Sequence, residues 1–140
     1  MIARVRLAGA AVAAAAVLAA GCVYNPSVVD TGGVRIQPQK GRLVARPPGA
    51  EFYADIASTG KYGDVLTRAE STIARRAQLL GPNGAVSEIT IPGETVVHFA
   101  PGGYRVALSE LKRPLEKGEV VIVTLYFQKS GGIGVISVVE

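Results

Sequence analysis

Three residue types that could ligate a soft metal or build a nucleophile–base pair occur once each in the 140 residues: Cys22, His98 and Met1. A single cysteine excludes a disulfide within the chain, and one cysteine with one histidine excludes a Cys/His metal cluster. A histidine-based catalytic triad would have to use His98. Carboxylates are more plentiful. Asp30, Asp55, Asp64 and Glu70 are scattered and could be paired by folding, which sequence does not show, and they read as surface charges. No GxSxG, HExxH, Walker A or GxGxxG pattern occurs. Gly131-Gly132-Ile133-Gly134 lacks the last glycine of the dinucleotide fingerprint and precedes a strand pattern rather than a helix. The expectation is a chain that is not an enzyme, with no catalytic residues. An enzyme would require carboxylates converging in a pocket.

Cys22 has the most informative surroundings. MIARVR is a short positive segment, and Leu7 to Ala20 is an apolar run of 14 residues, too short for a membrane-spanning helix, which needs about 20 residues. This is the layout of a secretory signal. The run ends in Leu18-Ala19-Ala20-Gly21-Cys22 and gives way to the turn-rich VYNPS. Small residues before a cysteine resemble the bacterial lipobox, in which the thiol accepts diacylglycerol. Two or three acyl chains anchor stably where one is marginal. Cys22 is therefore the expected lipidation site, and its sulfur, once a thioether, would serve neither redox nor metal chemistry. The expected organisation is a signal peptide over residues 1–21, a lipidated tether over 22–33 with Pro26 and Gly32-Gly33 as breakers, and one folded domain over 34–140. The location implied is the cell envelope, lipid-anchored to a bacterial membrane with the domain facing periplasm or exterior.

Composition supports this division. The chain is 49% hydrophobic with net charge +4. All but four of the first 21 residues are apolar, and Arg4 and Arg6 account for half of the net charge. What remains is ordinary for a globular domain, with +2 of excess charge. No basic stripe is visible, and with no Trp, 3 Phe and 5 Tyr there is little to stack on bases, so nucleic acid is not an expected partner.

The elements that must position any site read as short strands between dense turns. VRIQPQ, RLVAR, EFYADIAS, DVLTRAE, ARRAQLL, AVSEITI, TVVHFA, YRVALSEL, EVVIVTLYFQ and GIGVISVV are separated by PPG, STG, GPNG, IPG, PGG, KRPLEKG and SGG. Strands recurring about every ten residues indicate an all-β sandwich or barrel. In Glu119–Gln128, Val121, Val123, Leu125 and Phe127 share one face and Val120, Ile122, Thr124 and Tyr126 the other, which predicts a central strand. In Gly134–Val139, Val135, Ser137 and Val139 oppose Ile136 and Val138. Asp64–Leu80 has some helical propensity, but Thr67, Thr72 and Ile73 favour two strands with a turn. Lys112, Arg113 and Lys117 fall on a solvated turn set by Pro114 and Gly118, with docking to anionic headgroups or an acidic partner as a lesser alternative.

From about Val34 to Val139 the chain resembles the PCu(A)C family of periplasmic copper chaperones. PGGYRVALSELKRPLEKGEVVIVTLYFQKSGGIGVISVV is similar to that family's Pro-Gly-Gly strand, Leu-Lys-x-Pro-Leu turn and last two strands. ARPPGAEFYADIASTG, the stretch from Ser71 to Leu79 and ITIPGET are similar to its earlier segments. The resemblance implies a cupredoxin-like or immunoglobulin-like β-sandwich, and a Cu(I) site of two His and two Met, soft donors suited to that ion.

At the positions where the resemblance places those ligands, this chain departs. Leu80 stands at the first His, the following loop GPNGAVSEI appears shortened and has no Met, Arg105 stands at the second His, and Ala107 at the second Met. Alkyl groups and a guanidinium do not ligate Cu(I). His98 in TVVHFA should point outward with Val96, while Val97 and Phe99 point in; Tyr104 and Arg105 could line a remnant of the pocket. No metal site and no cofactor are expected. The expected function is a lipid-anchored, monomeric interaction or accessory module related to copper trafficking, which docks an envelope protein. The alternative is an active copper chaperone that delivers Cu(I) through an unrecognised site, such as His98 completed by a partner's ligands.

Overall fold

The computed structural model describes residues 33–140. The expected signal peptide, Cys22 and the tether up to Gly32 lie outside the described residues. From Gly33 the chain is all-β: β1 (Ile36–Arg46), β2 (Gly49–Ser58), β3 (Asp64–Ser71), β4 (Ala74–Gly81), β5 (Gly84–Ala85), β6 (Ile89–Ile91), β7 (Thr95–His98), β8 (Arg105–Leu111), β9 (Val120–Phe127) and β10 (Gly131–Val139).

The strands form one hydrogen-bonded path in the order β5-β4-β8-β2-β1-β10-β9-β3-β6, with β7 also on β2. All pairings but one are antiparallel. β1 and β10 run parallel through Gly41↔Ser137, Arg42↔Val138 and Leu43↔Val139. The path curls so that β4, β8 and β2 face β10, β9 and β3 across a single core. Leu43, Phe52, Ile56, Val106 and Leu108 come from one half, and Leu66, Val123, Leu125 and Val135 from the other. Burial of this apolar surface is the main force holding the two halves together.

β1 joins the halves because it bends. The sequence suggested two strands here, and the structure has one, interrupted by a register shift between Gln39 and Arg42. Lys40 there adopts a left-handed φ of 55°, the signature of a bulge that increases local twist. Gly41 is required next to it, since a Cβ would lie 2.6 Å from the carbonyl oxygen of Ile136 on β10. The AVSEITI segment differs in the opposite sense. It divides into β5 and β6, which pair with β4 and β3 respectively and so with opposite halves. Asp64–Leu80 forms the two strands its β-branched residues favoured, with Thr72-Ile73 as the turn.

β9 sits between β10 and β3 in the sheet, as its pattern predicted. Only one of its faces is covered, however. Val121, Val123, Leu125 and Phe127 are buried, whereas Val120 and Ile122 stand in solvent beside Val138 and Ile136 of β10. An apolar face can therefore be exposed even on an internal strand, because hydrogen bonding within the sheet and layer packing on its surface are separate.

Asp64 departs from the reading as a surface charge. It is buried at the start of β3. Its carboxylate accepts hydrogen bonds from the Val65, Lys129 and Ser130 amides and from the Ser130 hydroxyl, all at 2.7–2.9 Å. It thus caps the three-residue turn between β9 and β10, where Gly131 supplies the positive φ of 74° that such a loop needs. Burial pushes the carboxyl pKa up. The bonds from Ser130, Lys129 and Val65 outweigh that effect and hold it below the ordinary range.

Candidate functional site

β2 is extended, so its successive side chains point to opposite faces. Phe52, Ala54 and Ile56 are buried in the core row, which leaves Glu51, Tyr53 and Asp55 together on the outer face. Register then sets their neighbours. Across one side of β2, Ala107 of β8 is the partner of Glu51. Across the other, Arg42 of β1 is the partner of Tyr53. On the far side of β8, Leu80 of β4 pairs with Arg105 and Gln78 with Ala107. Leu80, Arg105 and Ala107 therefore occupy one surface, two of them as direct partners and the third two residues further along the same row.

Arg105 is the centre of that surface. Its side chain is only 19% exposed. The guanidinium donates to the backbone carbonyls of Gly81 at 3.2 Å and Gly103 at 2.9 Å, and to Glu51 Oε1 at 3.4 Å. The second oxygen of Glu51 accepts from the Tyr53 hydroxyl and lies 3.8 Å from Arg46 Nε. Tyr53 is fully buried although it is on the outer face, and the Arg42 guanidinium lies 4.8 Å from its ring centre. Burial raises the Tyr53 pKa, and its bond to Glu51 raises it further. The result is a half-buried network in which each charged group has a partner, the condition under which such charge is tolerated inside a fold. It offers three guanidinium groups, a carboxylate and a phenol, and no thioether, thiol or imidazole.

His98 is elsewhere on the same face. It is the register partner of Asp55, and its Nδ1 lies 2.7 Å from Asp55 Oδ1. Lys40 Nζ, displaced by the bulge, is 3.8 Å from the other oxygen of Asp55. The His98 side chain is 68% exposed, with Val96 also outward and Phe99 buried, as the alternation of TVVHFA predicted. Among the described residues, no three His, Cys, Asp or Glu side chains gather as a metal-binding group. Tyr104 packs against Phe99 with ring centres 6.3 Å apart and lies beside Gly81, at the edge of the Arg105 network. Of the other carboxylates, Glu70 accepts from the Tyr126 hydroxyl and pairs with Arg68; the Tyr126 bond is the larger cause of its lowered pKa. Asp30 lies outside the described residues.

Sequence reading missed Glu51 and Tyr53. The signal was present in EFYADIA, where an acid, a phenol and a second acid recur at spacing two within an otherwise apolar strand. That spacing places all three on one face.

The profile of one protein family, described as "Putative lipoprotein LpqE-like", matches residues 29–139. The chain belongs to the LpqE-like family. A relative from Leifsonia xyli subsp. xyli, "Putative lipoprotein Lxx21020", is 33% identical over 121 residues, covering 76% of this chain and 73% of its own length. Among solved structures, the apo PCuAC domain from PmoF1 superposes with a TM-score of 0.68 at 26% identity, covering 79% of this chain and 96% of that domain. The copper-bound PCuAC domain from PmoF2 gives 0.68 at 25% identity, covering 78% and 93%. This LpqE-like chain therefore has the PCuAC fold, as its sequence resemblance implied. On that fold the Leu80–Arg105–Ala107 surface holds an internal ion pair.

Proposed function

We propose that this protein is an envelope lipoprotein, anchored through Cys22, whose PCuAC-fold domain acts by docking another protein and does not itself carry Cu(I). The observation behind this reading is the Arg105 network. Where the resemblance puts an imidazole, the chain has a guanidinium held by Glu51 and two backbone carbonyls. A cation is thus already bound there, covalently part of the protein, and its register partner Leu80 is alkyl. A soft monovalent metal would meet electrostatic repulsion and no sulfur. The relation to copper-binding neighbours supports a setting near copper trafficking, with the accessory role falling to the surface. A protein related to oxidase or copper-centre assembly that docks this domain fits that setting.

The test is a Cu(I) titration of the full chain in detergent against a chromophoric Cu(I) chelator. The chelator should keep its metal at every protein concentration. A one-to-one protein complex that survives the competition would overturn the proposal. Anchoring has its own test. Globomycin treatment, or Cys22→Ser, should leave the precursor unprocessed, read as a larger species on a gel. Unchanged processing under both would remove the anchor.

One observation favours copper delivery as a second reading. Asp55 engages His98 Nδ1 on a side chain that is 68% exposed, the carboxylate–imidazole arrangement that orients metal-ligating histidines. A lone imidazole would need a partner's donors, so this reading predicts Cu(I) retention only in a mixture of the two proteins, lost in His98→Gln.

A further inference from the structure

β3 and β4 are consecutive strands that do not hydrogen-bond to each other. β3 pairs with β9 along Leu66–Ser71, and β6 covers its other side only at Asp64–Leu66. β4 pairs with β8 along Ala74–Leu80, and β5 covers its other side only at Leu80–Gly81. Two open backbone edges, Thr67–Ser71 and Ala74–Gln78, thus border one seam in the curl; beyond Gln78 the Leu79 carbonyl accepts from the Val86 amide at 3.0 Å. A cleft of about 620 Å³ lies along it, and a second of about 480 Å³ adjoins at the turn, sharing Glu70, Ser71, Ala74 and Arg75.

The seam is basic. Arg68, Arg75 and Arg76 line the first cleft, and Arg75 and Lys112 the second. Arg68 is paired with Glu70 and Arg76 with Glu110. Among the described residues Arg75 and Lys112 have no carboxylate partner, and both are exposed. Arg75 shares its row on β4 with Ala77 and the core residue Leu79, so it stands at the mouth between the two layers.

We propose that this seam receives an extended acidic segment of a partner protein, added as a strand to the open edge of β4. The inference names the partner chemistry for the docking role and rests on that reading. Free edge amides and carbonyls recognise another backbone in extended form, and the flanking cations select its side chains. A small anion would use the cations but leave the edge amides and carbonyls without a backbone partner. A second copy of this chain, edge to edge, would set Arg75 and Arg76 against their own kind. An acidic strand satisfies both the backbone and the charge.

The probe is a fluorescein-labelled peptide of about eight residues alternating glutamate and valine, read by anisotropy with the full chain in detergent. Binding should be saturable and at least about tenfold weaker for the lysine–valine analogue, for the acidic peptide with its edge amides N-methylated, and for Arg75→Glu/Lys112→Glu. Amides of Ala74–Gln78 should gain hydrogen-exchange protection in the complex. Two outcomes would overturn the proposal: no binding of the acidic peptide, or equal binding of acidic and basic peptides. Self-association of the double variant without peptide binding to the parent would mean the charges only keep open edges apart. A parent that binds Cu(I) yet also takes the peptide would sink the metal-free role and leave the seam standing; the converse would do the opposite.

Discussion

At the scale of single residues, Asp64 and Arg105 solve similar problems for different ends. Each is a charge taken out of water and supplied with several hydrogen-bond partners. Asp64 ties the start of β3 to the β9–β10 turn through four bonds. Its folded pKa is depressed, so its contribution is complete above the unfolded value of about 4 and disappears as pH falls through the folded value. Asp64→Asn should therefore cost about 1–3 kcal/mol at neutral pH and flatten the acid limb of the stability profile, as measured by urea unfolding between neutral pH and strongly acidic pH. An unchanged acid limb would mean that other carboxylates set the acid sensitivity. Asp64 was illegible as a buried residue because its donors come from residues 65 and 129–130. Only the register of β3 against β9 brings them together.

At the scale of elements, alternation was the readable feature. It correctly placed both faces of β9 and β10 and the outward turn of His98, because a pleated strand has a period of two whatever surrounds it. It did not tell whether an apolar row would be covered, as Val120, Ile122, Ile136 and Val138 show. That depends on whether a second layer lies over the row. The two rows of β9 should consequently respond differently to substitution. Leu125→Ala should lose about 2–4 kcal/mol by leaving a cavity, whereas Ile122→Thr should stay within about 0.5 kcal/mol. Equal losses in chemical denaturation would show that the outer row is covered in solution. Strand ends were less legible. The bulge at Lys40–Gly41 joins what looked like two strands, and the division of AVSEITI follows from a chain crossing between halves.

At the scale of the whole molecule, the PCuAC fold is retained while its expected ligand positions have other chemistry. The turn residues and strand spacing that specify the fold are spread over the chain. Leu80, Arg105 and Ala107 are not core residues, so the fold does not depend on their identity. The fold was legible in the sequence, as were the residue types at Leu80, Arg105 and Ala107. The ion pair that holds Arg105 was not, since Glu51 lies 54 positions from Arg105 in sequence and meets it only through the pairing of β2 with β8. Leu80 and Arg105 are register partners, and Ala107 follows on the same face.

The most direct measurement is Cu(I) competition on the parent beside Leu80→His/Arg105→His/Ala107→Met, which restores three soft or borderline donors to that surface. The parent should leave all Cu(I) with the chelator and the triple variant should take up one equivalent. Uptake of one equivalent by the parent itself would contradict the account.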